Sequence, residues 1–201
     1  MTKRENLVER IYLNKKEFLS MERSVLIHEH LRRYGAIRRF CYGKVLDFAC
    51  GCGYGSYLLA GNPDVKKVIG IDNNSEVIDW AKKEFSHNKV EYIHSEIDKL
   101  NEKIDTLICL ETIEHLPDIK PILKLVERCE VDNIVVSFPD KKTTHYNPYH
   151  LHDFTRQDLI NIFKHHVVYH AVRFVDVQLL MLIKLPDKAP LDIFKNIKDL
   201  N

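Results

Sequence analysis

The eleven residues Val45 to Gly55, VLDFACGCGYG, decide the fold. A short run of strand character, Lys44-Val45-Leu46, ends in an acid, Asp47, and passes into a loop carrying glycines at 51, 53 and 55. A chain leaving the carboxyl edge of a buried parallel strand needs tight backbone angles and close approach to whatever binds there. Glycine, lacking a Cβ, permits both.

The acid discriminates between ligands. A glycine loop that receives a pyrophosphate relies on backbone N–H groups at a helix N-terminus, and a carboxylate just upstream would repel it. The spacing Gly51-x-Gly53-x-Gly55 also fails to match Gly-x-Gly-x-x-Gly. A carboxylate beside the glycines suits a ligand bearing an ammonium and a sulfonium, of which S-adenosylmethionine is the common one. On these residues the chain resembles the class I S-adenosylmethionine-dependent methyltransferases, whose first motif reads roughly Asp-x-Gly-x-Gly-x-Gly. Asp47, Gly51 and Gly53 fit, and Ala49 stands where many members carry the first glycine.

The chain has 201 residues, 45% of them hydrophobic, which is enough for one core, and a single domain is expected over 1–201. Within it we expect an N-terminal helical segment over 1–40, an α/β core over 41–185 and a peripheral tail over 186–201. Thirty Lys plus Arg against 29 Asp plus Glu leave no basic field to hold a phosphate backbone, so nucleic acid is unsupported as a partner though not excluded. The five cysteines are odd in number and lack Cys-x-x-Cys spacing, and they read as free thiols of a reducing compartment. No apolar run approaches the roughly 18 residues of a spanning helix. A cytoplasmic protein without membrane insertion is expected.

Apolar letters at near-helical spacing before residue 40 predict one or two amphipathic helices. Strands are then expected at 44–49, 67–71, 90–94, 104–110 and 131–137, with helices at 54–60, 75–85, 119–128 and 155–164. Repeated βα units imply a parallel sheet with helices on both faces. Two β-rich stretches near 167–175 and 177–184, joined tightly around Asp176, read as an antiparallel edge hairpin. The fold class is therefore α/β, a Rossmann-like arrangement, and the family resemblance implies seven strands.

Asp72 ends the second strand, 25 residues after Asp47, and is followed by Asn73. A carboxylate there lies beside the glycine loop and can accept both hydrogen bonds of a ribose diol. Capping of the following helix falls more naturally to Asn74 or Ser75. The resemblance further implies that Glu96 and Ile97 meet the adenine amine and ring, and that Leu110 touches the cofactor. For Glu96, a solvated loop acid is an equal alternative.

The fourth strand runs into Glu111-Thr-Ile-Glu114-His115. If residues 111–115 form one turn, Glu111, Glu114 and His115 project from one face. Two carboxylates and an imidazole suit Mg or Mn better than structural zinc. Small-RNA 2′-O-methyltransferases carry Glu-x-x-Glu-His followed by a histidine ahead of an aromatic-Thr-Arg stretch. That resemblance places a fourth ligand at His150, before Phe154-Thr155-Arg156. The alternative is a loop signature with no metal.

Two segments bear on the acceptor. His30 with the pair Arg33-Tyr34, and the later Asn147-Pro-Tyr149-His150, resemble small methyltransferases associated with bacterial glycan and lipopolysaccharide synthesis. The acceptor implied is a sugar, nucleotide-sugar or glycan intermediate. Proton acceptors are sought among His145, His152 and His30, with His115 and His150 as ligands or bases. For His30, surface or lid packing in an N-terminal helix is the preferred reading. RNA 3′-end 2′-O-methylation and a non-catalytic cofactor-binding subunit are the competing functions.

Overall fold

The computed structural model describes residues 25–95 and 97–185, together with Tyr12, Asn14 and Lys15. Glu96, the chain ahead of Val25 apart from those three residues, and the tail from Pro186 lie outside the described residues. The element order is α1 (Val25–Ile37), β1 (Gly43–Phe48), α2 (Tyr54–Ala60), β2 (Val65–Asp72), α3 (Ser75–Glu84), β3 (Val90–His94), β4 (Thr106–Cys109), α4 (Lys120–Arg128), β5 (Asn133–Pro139), α5 (Arg156–Ile162), β6 (His166–Phe174) and β7 (Val177–Lys184). Single 3-10 turns occupy Arg38–Phe40, Ile97–Lys99 and Ile113–His115. Among the described residues no helix is long and apolar enough to cross a membrane.

Seven strands form one sheet in the order β3-β2-β1-β4-β5-β7-β6. β1 to β5 pair in parallel, while β7 runs antiparallel to both β5 and β6. The expected edge hairpin is present as β6 and β7, and its second strand, β7, inserts between β5 and β6.

Both faces of the sheet are covered, so neighbouring residues of one strand enter different cores. Val45 of β1 packs with Val68, Ile108 and Val135 against α1, α2 and α3. Leu46 enters the opposite core with Ile69, Leu107 and Ile134, against α4 and α5. Asp47 shares the face of Val45 by the two-residue strand period, which aims its carboxylate at α1 and α2.

Helix starts follow local chemistry. The Asn74 side chain accepts from Glu76 N (2.9 Å) and Val77 N (3.2 Å), capping α3 as the sequence suggested. Thr155 and Asp158 form a reciprocal capping box at α5. With β1 lying between β2 and β4, the strand order reverses direction beside β1, and a crevice opens outside the carboxyl ends of β1 and β4.

Candidate active site

A cleft of about 880 Å³ occupies that crevice. Ala49 and Gly51 from the loop after β1, Asp72 and Asn73 from the end of β2, Ile97 from the turn after β3, and Leu110 and Glu111 from the end of β4 all line it. Six of the nine residues expected at the cofactor therefore meet in one cavity. Glu96 is outside the described residues. Asp47 and Gly53 lie beneath the lining.

The glycines of the loop have different duties. Gly51 adopts a left-handed φ of 53°, and a Cβ there would meet nothing within 4 Å, so its surface faces open cleft. Ala49 adopts the same region at φ 57°, a strained conformation for a residue with a Cβ. Gly53, at φ 84°, is different: a Cβ would lie 2.6 Å from Ala81 Cβ and 2.8 Å from the Tyr92 ring. Gly53 thus lets α3 and β3 pack against the loop. A Cβ on Gly55 would run into the Tyr34 ring.

Asp47 is 1% exposed. Its two carboxylate oxygens accept from Tyr34 Oη (3.1 Å) and Ser56 Oγ (2.6 Å). Burial pushes its pKa up to about 6, opposed by the two hydroxyl bonds and reinforced by the nearby Asp72 carboxylate. Direct contact between Asp47 and a ligand ammonium was the sequence expectation; the structure instead ties the carboxylate to α1 and α2, under the loop. Asp72 Oδ2 accepts from Gly51 N (3.1 Å) and Oδ1 from Asn74 N (2.9 Å), so the carboxylate fixes the glycine loop while lining the cleft.

Helix α1 closes one side of the cavity with His30, Arg33 and Tyr34. His30 Nδ1 lies 3.1 Å from Tyr54 Oη. Burial, then the charge of Arg33, lowers the His30 pKa to about 4, keeping it neutral at pH 7. Of the expected surface or lid packing of His30, the surface part is corrected, because the side chain lines the cleft on the helix that closes it; helix amphipathicity alone could not tell a core-facing position from a cleft-facing one. Cys50 and Cys52 also line the cleft, and burial beside Asp47 raises the Cys50 thiol well above its ordinary value. All five cysteines are free, as expected, and all five are buried.

His115 of the 3-10 turn Ile113–His115 and Tyr149 of the loop of residues 140–155 also line the cleft. Ligand atoms of Glu114, His115 and His150 lie within 4.8 Å of one another. The backbone carbonyl of Glu114 accepts from Leu151 N (2.8 Å) and His152 N (3.3 Å), which draws the loop onto the turn. His115 Nδ1 lies 2.9 Å from the Tyr149 carbonyl, so it must carry the proton and leave Nε2 with a lone pair. His150 Nδ1 lies 2.6 Å from Thr143 Oγ1, which in turn lies 3.4 Å from Asp153 Oδ1. Thr144 Oγ1 and the Thr143 and Thr144 backbone N–H groups also donate to Asp153, holding its carboxyl down to about 2.

Glu111 does not join this group. With φ 48° it breaks the turn assumed from its spacing; its carboxylate accepts from Ser137 Oγ (2.6 Å), and its N–H donates to the same oxygen (2.9 Å). His152 is also displaced from the expected centre, its Nε2 bonded to the Leu116 carbonyl at 2.9 Å and its ring against Phe154 in a neighbouring surface cleft. His145 stacks edge-on to Tyr146 and does not line the main cleft.

A family model described as "Methyltransferase domain" matches residues 42–196. The chain belongs to this methyltransferase family. It is an S-adenosylmethionine-dependent methyltransferase. A comparison with curated proteins finds no match. Among solved structures it is similar to an S-adenosylmethionine-dependent methyltransferase from Aquifex aeolicus, at 15% identity and TM-score 0.66 over 87% of this chain and all (100%) of that one. Magnesium protoporphyrin IX methyltransferase from Synechocystis PCC 6803, solved with S-adenosylmethionine bound, shares 18% identity at TM-score 0.62 over 78% of this chain and 80% of its own. The methyltransferase domain of the bacterial CtHen1-C protein shares 17% identity at TM-score 0.60, covering 79% of this chain and 97% of that one. These likenesses establish the methyltransferase fold that the strand order had indicated.

Proposed function

We propose that this methyltransferase transfers the methyl group of S-adenosylmethionine to a hydroxyl of a sugar, nucleotide-sugar or glycan intermediate. The observation that carries the reading is the cleft whose lining holds both Gly51 and Asp72 and His115, of the Glu114–His115–His150 group. In this reading Asp72, which lines the cleft, accepts the ribose hydroxyls. Ile97 and Leu110 flank the adenine. The backbone of Ala49 to Gly51 follows the methionyl portion, and Asp47 acts through Tyr34 and Ser56 by fixing that loop.

Methyl transfer breaks the S–CH3 bond, with its electron pair returning to sulfur, and forms O–CH3 as the acceptor hydroxyl loses its proton. A sugar hydroxyl is a poor nucleophile at neutral pH, so the site must assist deprotonation. Glu114, His115 and His150 would hold a divalent ion, which would supply alkoxide character to the hydroxyl. With Glu111 turned to Ser137 the donor set is one carboxylate and two imidazoles, which suits Mn better than Mg, and each imidazole has its Nδ1 engaged by an outer partner, Tyr149 O or Thr143 Oγ1. Without an ion, an Nε2 of the same histidines takes the proton. Methylation of an RNA 3′ end would use the same donors on a terminal vicinal diol, and the formal net charge of +1 gives it no electrostatic support.

Calorimetric titration with S-adenosylhomocysteine tests the cofactor half: wild type binds and Asp72→Ala does not. Mn titration of wild type and of Glu114→Gln with His150→Ala tests the other half, the heat vanishing only in the double variant. Failure of the wild type to bind S-adenosylhomocysteine would sink the reading. Labelled-methyl transfer to nucleotide-sugars, set beside transfer to an RNA oligonucleotide with a free 3′ diol, decides between the acceptors.

A further inference from the structure

Between β3 and β4 the chain makes one 3-10 turn, Ile97–Lys99, whose first residue lines the cleft and also belongs to the core beneath α4. A single 3-10 turn holds itself weakly. Its hydrogen-bond geometry is poorer than that of an α-helix, and its last carbonyls find no partner within it. If Ile97 is to keep one position against a ligand, the turn has to be fixed from outside.

The fixing comes from α4. Arg128, the last residue of that helix, donates from Nε to the Leu100 carbonyl at 2.8 Å and from Nη2 to the Ile97 carbonyl at 3.1 Å. One edge of the guanidinium thus spans the turn, from its first residue to the residue after its last. A planar fork holds two acceptors at a set separation, which an ammonium on a flexible stem does not. The next residue adds to the tie: Cys129 Sγ lies 3.6 Å from the same Leu100 oxygen, and Ile104 N donates to the Cys129 carbonyl at 2.9 Å. Arg128 is half-buried and stands outside the cleft lining, so its effect on a ligand there runs through Ile97. The first turn of α4 lines the same cleft through Pro121 and Ile122. One helix therefore forms part of the cavity at its start and clamps the turn of Ile97 at its end.

Resting on the reading that Ile97 flanks the adenine, we propose that Arg128 is a positioning residue for that base, setting the affinity for the nucleoside end of the cofactor without touching it.

The probe pair is S-adenosylhomocysteine and S-ribosylhomocysteine, which keeps the amino acid, the thioether and the ribose and lacks only the base. In calorimetric titrations wild type should favour S-adenosylhomocysteine. Arg128→Met should weaken S-adenosylhomocysteine about tenfold, the scale of one lost hydrogen bond, and leave S-ribosylhomocysteine unchanged. Arg128→Lys, able to reach one carbonyl, should fall between, and it carries the same comparison should Arg128→Met fail to fold. An unchanged affinity for S-adenosylhomocysteine in both variants would show that the turn holds itself and overturn the proposal. Equal weakening of both ligands would do the same, by making Arg128 a general brace of the fold. If wild type binds the two ligands alike, the placement of Ile97 against the base has failed; if it binds neither, the cofactor reading itself has failed.

Discussion

On the cofactor wall of the cleft, Asp47, Asp72, Tyr34 and Ser56 find their partners inside the fold, at the ends of buried strands and under the glycine loop. On the wall proposed to meet the acceptor, the loop of residues 140–155 holds itself together through Asp153 and presents Tyr146 (57% exposed), Tyr149 (41%) and Leu151 (49%) to solvent. The difference separates two kinds of specificity. A wall welded into the core can be changed only at the expense of folding, whereas an exposed loop can be altered to meet a new acceptor while the sheet stays as it is.

The comparison is broken most severely at Gly53. Gly53→Ala places a Cβ against Ala81 and Tyr92 at a positive φ, and is expected to lower stability by about 4 kcal/mol by urea denaturation, combining backbone strain with overpacking. The next effect is a pH dependence from Asp47. Between about pH 4 and about pH 6 the folded state retains a proton on Asp47 that the unfolded chain has released. Stability therefore falls as pH rises through that window, by up to about 3 kcal/mol. Asp47→Asn cannot ionise, and denaturation curves across the window should lack this component.

On the acceptor side the expected effects on folding shrink. Thr143→Val removes the hydroxyl between His150 and Asp153 and should weaken Mn binding about tenfold while costing about 1 kcal/mol of stability. Tyr149→Ala, at an exposed residue that lines the cleft, should leave stability within about 0.5 kcal/mol and show itself only as a raised acceptor KM. A loss of stability in Tyr149→Ala comparable to that in Gly53→Ala would erase the distinction between the two walls.

The same contrast governs what the sequence disclosed. Strand–loop junctions at Asp47 and Asp72 were legible because a buried parallel strand announces itself in apolar letters and its end delivers a side chain to a known place. Ile97 and Leu110 followed from the family resemblance. Less was legible where one letter serves two purposes. Gly51 and Gly53 look alike in sequence, yet one faces open cleft and the other admits a helix. Glu111 and Glu114 have helical spacing, but the left-handed backbone at Glu111 sends its carboxylate to Ser137, a partner on β5 that local periodicity cannot reveal. The duty of Tyr34 depends on a hydroxyl reaching across from α1 to β1. His152 and His145 were plausible by type alone, and loop geometry, which spacing does not encode, moved them off the centre.

The position of β7 bears on how the molecule is made. It occupies an interior place in the sheet, between β5 and β6, yet it follows both in the chain. During synthesis β5 emerges with one edge uncovered, and that edge, with its run Ile134-Val135-Val136, stays open to other strands until Val177–Lys184 has left the ribosome and the hairpin has docked. The nascent chain thus passes through an interval in which an apolar edge is exposed, and a chaperone that shields such edges would act on this protein before β7 has docked.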